Sequence, residues 1–260
     1  MAFYLPLKDN SFESTEHTAG PWSPDSQHFG PPAALLARAM EALPAAQTPE
    51  QPSMIARITV EILGPLPLAT VHVDATVERP GKSVELLAAE MTASDRVVAR
   101  ARAWRMTTSD SESVRTEDGA PLKAPAEGVP LGRPEGWGGG YLDAMEMRAL
   151  NGSLAEPGPA TVWARQRVAL VKGEEPTGLQ RLLVLADSGN GVSSLLDPRR
   201  WYFINTELTV HLRRQPEGEW IGMDAHTEVG DHGVGTAFTV LHDRRGPLAR
   251  GAQALLIKPR

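Results

Sequence analysis

Asp187, Asn205 and Gln253 are the side chains of this chain that could act together on a bound reactant. A carboxylate can take a proton from a water molecule, and neighbouring amides can hold that water in line with an electrophilic carbon. An internal repeat singles them out. Residues 56–106 lie on residues 206–256 without a gap: Thr59-Val60 falls on Thr209-Val210, Asp74-Ala75 on Asp224-Ala225, and Ala99-Arg100 on Ala249-Arg250. In this overlay Asn205 stands opposite Ile55 and Gln253 opposite Ala103. Two apolar helical segments, 31–43 and 178–186, repeat at nearly the same spacing and set Asp187 opposite Ala39. A duplicated fold needs none of these polar groups, since its other copy manages with apolar ones. Burying an unpaired carboxylate is costly, so such a group has partners or a task. The alternatives are a turn role for Asp187 in Asp187-Ser188-Gly189-Asn190-Gly191, and strand-edge positions for the two amides.

The elements that must position these residues follow from periodicity. Residues 22–29 form a loop that leads into Gly30-Pro31-Pro32, and proline suits a first helical turn because its missing N–H would be unpaired there. The following Ala33 to Met40 is apolar on almost every face, so other elements must wrap it. Alternating stretches at 58–62, 71–75, 84–91 and 97–106 read as antiparallel strands with one buried face. Strands resume at 143–150 and 160–171 and, after the second helix, at 202–213, 220–229, 236–243 and 249–258. The expected architecture is α+β, with a helix wrapped by a curved antiparallel sheet in each half. Residues 1–106 make the first unit and 141–260 the second. Residues 107–140, rich in Ser, Asp, Glu, Pro and Gly, make a linker ending in Gly136-Trp137-Gly138-Gly139-Gly140. Alternation over 203–212 puts Ile204, Thr206, Leu208 and Val210 on one face and Asn205, Glu207 and Thr209 on the other. Asn205 and Thr206 then cannot easily serve the same cavity, and the choice between them stays open.

Composition narrows the functions. The net charge of −6, with no run of Lys or Arg, argues against nucleic acid or an anionic membrane surface as partner. The absence of cysteine excludes disulfides, thiolate metal sites and a Cys nucleophile. No His-Glu-x-x-His or Gly-x-Ser-x-Gly pattern occurs, so neither a zinc site nor a nucleophile-elbow serine is expected. The glycine run lacks a following Lys-Ser/Thr, and Gly233-Val234-Gly235 sits in an antiparallel stretch as a bulge or hairpin. No cofactor or metal is expected. With no leader pattern and no apolar run of roughly 20 residues, the expected location is the cytoplasm.

The segments Gln27-His28-Phe29-Gly30-Pro31-Pro32-Ala33-Ala34-Leu35-Leu36, Asp187-Ser188-Gly189-Asn190-Gly191, Phe203 to Val210 and Gly251-Ala252-Gln253, together with the repeat, resemble the double hot-dog acyl-CoA thioesterases. The likeness is to the acyl-CoA thioesterase II-like family common in actinobacteria, and it spans nearly the whole chain. It implies a tandem hot-dog with the two sheets side by side. It also implies water attack run by an Asp, a Thr or Ser, and a Gln of the second half. Asp187 and Gln253 match the first and last. The middle position departs, with Asn205 in register and Thr206 one residue off, and Phe29 stands where a second glycine is common. The expected function is hydrolysis of acyl-CoA or acyl-carrier thioesters in lipid metabolism by a homo-oligomer. The second reading is a non-catalytic acyl-ligand binder on the same fold. An apolar tunnel is expected to open near the first helix and reach Asp187 and Gln253. His28 at the helix entrance is a candidate ligand contact, and the N–H of Gly30 a candidate donor to the oxyanion.

Overall fold

The computed structural model describes residues 1–45, 52–116 and 119–260. The first unit contains β1 (Ala2–Pro6), β2 (Ser11–Ser14), the small hairpin β3 (Ala19–Gly20) and β4 (Ser23–Gln27), then helix α1 (Gly30–Glu41). Four long strands follow: β5 (Ser53–Ile62), β6 (Thr70–Arg79), β7 (Val84–Ala93) and β8 (Arg96–Thr107). Within the stretch expected as linker, β9 (Val129–Pro130) pairs with the strand that follows α2 (Gly140–Ala144); the second unit then runs β10 (Met145–Ser153), β11 (Glu156–Gln166), β12 (Ala169–Val171), α3 (Gly178–Ala186) and α4 (Gly189–Val192). It closes with β13 (Trp201–Asn205), β14 (Glu207–Leu212), β15 (Ile221–Val229), β16 (Val234–Asp243) and β17 (Gly246–Pro259).

Apart from β3 and β4, the strands join one sheet, in the order β12-β1-β2-β6-β7-β8-β5-β14-β17-β16-β15-β11-β10-β9, with β13 also on β17. Every pairing is antiparallel except β1 with β12. The all-round apolar character of α1 has its cause here: the helix is held between β5–β8 and α3, so Leu35, Leu36 and Met40 are all buried. Its second unit counterpart α3 packs on β11, β15 and β16 and buries Leu179, Leu182, Leu183 and Leu185.

The units join where β1 pairs with β12 and, over a longer run, at the central seam of β5 against β14. There Thr59 faces Thr209, the residue that the repeat overlay lays upon it, and their hydroxyls lie 3.1 Å apart. A pair that is both repeat-equivalent and directly opposed marks a pseudo-two-fold axis through the seam.

Three expectations are corrected. The strand expected from residue 143 begins at Met145, because Gly140–Ala144 forms the short helix α2. The stretch 160–171 is divided into β11 and β12. The third correction matters most. Strict alternation over 203–212 fails because the register against β17 slips by one residue between Asn205 and Thr209. Ala56 stands at the matching slip of β5 against β8. A β-bulge reverses which side chains face the core beyond it. Phe203 is therefore buried and Ile204 exposed, although Leu208 and Val210 are buried further along. Asn205 thus shares the inward side with the core residues, and Thr206 is the bulged residue.

Candidate active site

Asp187 follows directly on the last residue of α3, and its carboxylate meets the start of α1 from the other unit. It is only 4% exposed. Asn205 Nδ2 donates to one carboxylate oxygen at 2.7 Å, and the backbone N–H groups of Phe29 and Gly30 donate as well. Such a helix start is a natural seat for a negative charge. Burial nevertheless dominates, raising the pKa from 3.8 to about 6 against the opposing pull of the three hydrogen bonds. The group sits where a proton acceptor working near neutral pH should sit.

The close approach of the two helices depends on Gly30. A Cβ there would overlap the backbone carbonyl of Val184 in α3. This explains in physical terms why glycine precedes the two prolines. It also corrects the expectation for the Gly30 N–H, which is committed to the Asp187 carboxylate and to His28 Nδ1 (3.1 Å) and is not free for an oxyanion.

His28 lies flat on Tyr141, the rings parallel within 2° and their centroids 3.7 Å apart. Burial lowers its pKa to about 3, so the ring is neutral. With Nδ1 accepting from Gly30, the ring proton belongs on Nε2. Nδ1 also lies 3.4 Å from Asp187 Oδ2. Tyr141 in turn is anchored by its hydroxyl, which lies 2.9 Å from both the Val184 carbonyl and Ser188 Oγ. A carbonyl can only accept, so the Tyr141 hydroxyl donates to Val184 and receives from Ser188. Burial holds the Tyr141 pKa well above its usual value.

Gln253 stands behind this arrangement. Its Nε2 donates to the Asp187 carbonyl and its Oε1 accepts from the Asn190 N–H, each at 3.0 Å. Asn190 Nδ2 reaches the Phe203 carbonyl at 3.2 Å. Gln253 thus ties the α3–α4 junction to β17, which fixes the backbone that carries the carboxylate. Thr206 turns its hydroxyl to the Ala254 carbonyl at 3.3 Å, away from Asp187.

A cavity of about 640 Å³ opens over these groups. Asp187, His28, Asn205, Ser188 and Thr206 border it, whereas Gln253 and Gly30 do not. The expected tunnel therefore reaches Asp187 but stops short of Gln253, which lies behind the wall. Tyr141, Ser188 and Asn190 are the site residues that sequence reasoning missed. Ser188 and Asn190 sat within a segment read as a turn, and Tyr141 directly followed a glycine run read as linker. Among the described residues, no group of three His, Asp or Glu could hold a metal ion.

The repeat supplies an internal control. The other junction of the two helices brings Glu41, at the end of α1, against the start of α3. There Glu41 accepts from Thr177 Oγ1 at 3.0 Å and Gln180 Nε2 at 2.7 Å. Burial raises the Glu41 pKa. Yet Ala39, Ile55 and Ala103 replace the polar triplet on that side, and the cavity described above does not border it. Duplication made two junctions, and one of them carries the polar pocket.

Comparison with known families accounts for both halves. A model of the acyl-CoA thioesterase N-terminal domain matches residues 18–106, and one of the acyl-CoA thioesterase C-terminal domain matches residues 125–257. A comparison with curated proteins gives no sequence match. Among solved structures, a hot-dog protein of Alicyclobacillus acidocaldarius superposes with a TM-score of 0.75 at 18% identity, over 97% of this chain and 95% of that one. An acyl-CoA thioesterase II of Mycobacterium marinum superposes at 0.67 with 14% identity, over 99% and 95% of the two chains. A 12:0-ACP thioesterase of Umbellularia californica gives 0.52 with 11% identity, over 96% and 93%. The molecule is a thioester hydrolase of tandem hot-dog architecture. It belongs to the acyl-CoA thioesterase family.

Proposed function

We propose that the protein hydrolyses acyl-CoA thioesters by direct attack of water, with Asp187 as general base. The carrying observation is the Asp187 carboxylate itself, buried on the cavity wall with its pKa raised to about 6. A thioester carbonyl is electrophilic enough for water to attack without a covalent enzyme intermediate. Asp187 accepts one proton as the water oxygen bonds to the carbonyl carbon. The C–S bond then breaks, the thiolate leaves with that proton, and the products are a carboxylic acid and a thiol. Asn205 holds the carboxylate in place through its 2.7 Å bond, filling the place that a Thr or Ser takes in the family resemblance.

The carbonyl oxygen gathers negative charge as water attacks and needs a hydrogen-bond donor. The Phe29 and Gly30 amides are turned to Asp187. The donor we assign to the carbonyl oxygen is the Nε2–H of neutral His28, which borders the cavity and is stacked on Tyr141. A neutral imidazole can act as an electrophilic donor because its proton is held at neutral pH, and the lowered His28 pKa ensures this.

The test is release of free thiol from a series of acyl-CoAs, read with a thiol reagent; the cysteine-free chain adds no background. With Asp187 acting in its ionised form, kcat/KM should rise with pH through a midpoint near 6. Tight binding of acyl-CoA with no thiol released at any pH would instead establish the acyl-ligand binder.

A further inference from the structure

The cavity walls point to a particular kind of acyl group. Seven of the chain's fourteen aromatic residues border this one space, beside an equal number of Leu, Ile and Val and, of its eight methionines, Met147 alone. Half of all the aromatic residues gathered at one cavity is a concentration the aliphatic lining does not match, and flat rigid rings suit a flat guest. Trp22 stands at the centre of the group. Its ring meets Trp137 and Phe203 edge-on, each with centroids 4.9 Å away, at 81° and 89°. The three rings come from three separate parts of the chain: the β3–β4 turn, the glycine-flanked segment before α2, and β13. Trp22 is still 43% exposed despite both contacts, so it has surface left to cover a ligand.

The distance from this box to the chemistry sets where a ring must lie. Phe203 and Asn205 face the same way on β13, two residues apart, which on a strand is roughly 7 Å. Asn205 is hydrogen-bonded to Asp187. An acyl group whose carbonyl meets Asp187 would therefore bring its first few carbons against Phe203 and Trp22. We infer that the cavity selects acyl groups carrying an aromatic ring one or two carbons from the thioester carbonyl, of the phenylacetyl kind, over linear chains. This rests on the thioesterase reading above and adds the substrate class to it.

Phenylacetyl-CoA and octanoyl-CoA have the same number of acyl carbons, so the pair separates ring shape from carbon count. The expected result is a kcat/KM for phenylacetyl-CoA about tenfold or more above that for octanoyl-CoA, since edge-to-face contacts add to simple burial. In Trp22→Leu that ratio should collapse towards unity, a change that general loosening of the fold would not produce. Equal or better turnover of octanoyl-CoA by the wild type overturns the inference and leaves the thioesterase reading intact. If neither ester is hydrolysed, the thioesterase reading fails. Quenching of tryptophan fluorescence by the two esters then decides the inference by itself: tighter binding of phenylacetyl-CoA upholds it, and equal or tighter binding of octanoyl-CoA overturns it.

Discussion

Asp187→Asn tests the base and its electrostatics in one protein. The new amide keeps the shape of the carboxylate. Its oxygen can still accept from Asn205 or from the Phe29 and Gly30 amides, and its nitrogen can donate to His28 Nδ1. What is lost is the proton acceptor, a change that typically lowers the rate about 10²–10⁴-fold. Stability should move the other way. The folded-state pKa of Asp187, about 6, lies above its ordinary value of 3.8, so the folded protein favours the protonated acid. Its contribution to stability is complete below the ordinary value and is lost as pH rises through the folded one. The gap of about two pH units corresponds to roughly 3 kcal/mol. The variant has no titrating group at this position. Between about pH 4 and about pH 7.5 the variant should therefore gain on the wild type by roughly 3 kcal/mol. For a chain of this size that is on the order of 6–12 °C in Tm. Thiol-release kinetics and calorimetric melts of both proteins across this pH range give the two readings. A pH-independent Tm difference would show that Asp187 is not held near 6. A variant that hydrolyses like the wild type would remove the carboxylate from the mechanism.

Three further outcomes are expected. Asn205→Ala removes a hydrogen bond that lowers the Asp187 pKa, so the rising limb of the kcat/KM–pH profile should move above its wild-type midpoint and the maximal rate should fall; an unmoved limb would show that the 2.7 Å bond has no electrostatic effect. Thr206→Ala should turn over close to wild type, because the hydroxyl faces the Ala254 carbonyl and not Asp187; a large fall in kcat with an unchanged melt would restore Thr206 to the site. Gly30→Ala drives a Cβ into the Val184 carbonyl, so the helices must separate; a loss of about 1–3 kcal/mol or more is expected in chemical denaturation, with reduced activity from the displaced α1 start, and a wild-type denaturation midpoint would contradict the close helix contact.

What the sequence made legible, and what it hid, divides along the range of the interactions. Repeat and periodicity are carried by many residues at once. The bounds of α3 and the four paired long strands of each unit therefore emerge from residue spacing, whereas the overlay equated Thr59 with Thr209 without showing that they face each other across a seam. The comparison of the two copies drew attention to Asp187, Asn205 and Gln253, because a polar side chain opposite Ala39, Ile55 or Ala103 stands out against its own duplicate. The choice between Asn205 and Thr206 was hidden because it depends on one extra residue in β13–β14. A bulge has no composition of its own: Ala56 and Thr206 share the position and little else. Tyr141 was hidden for a related reason. Its ring stacks on His28, which precedes it by more than a hundred residues, and its hydroxyl meets α3 more than forty residues later. Nothing local marks a tyrosine after Gly138-Gly139-Gly140 as anything but the end of a linker. The fate of the Gly30 amide follows the same logic. From sequence it is a free donor at a helix start, as any such amide would be. It becomes unavailable only because a carboxylate from the opposite repeat is brought to it. The proposed chemistry thus rests on the contact between the two copies. Neither copy alone has the carboxylate, the helix start and the neutral imidazole together: Asp187 comes from the second, and Phe29, Gly30 and His28 come from the first.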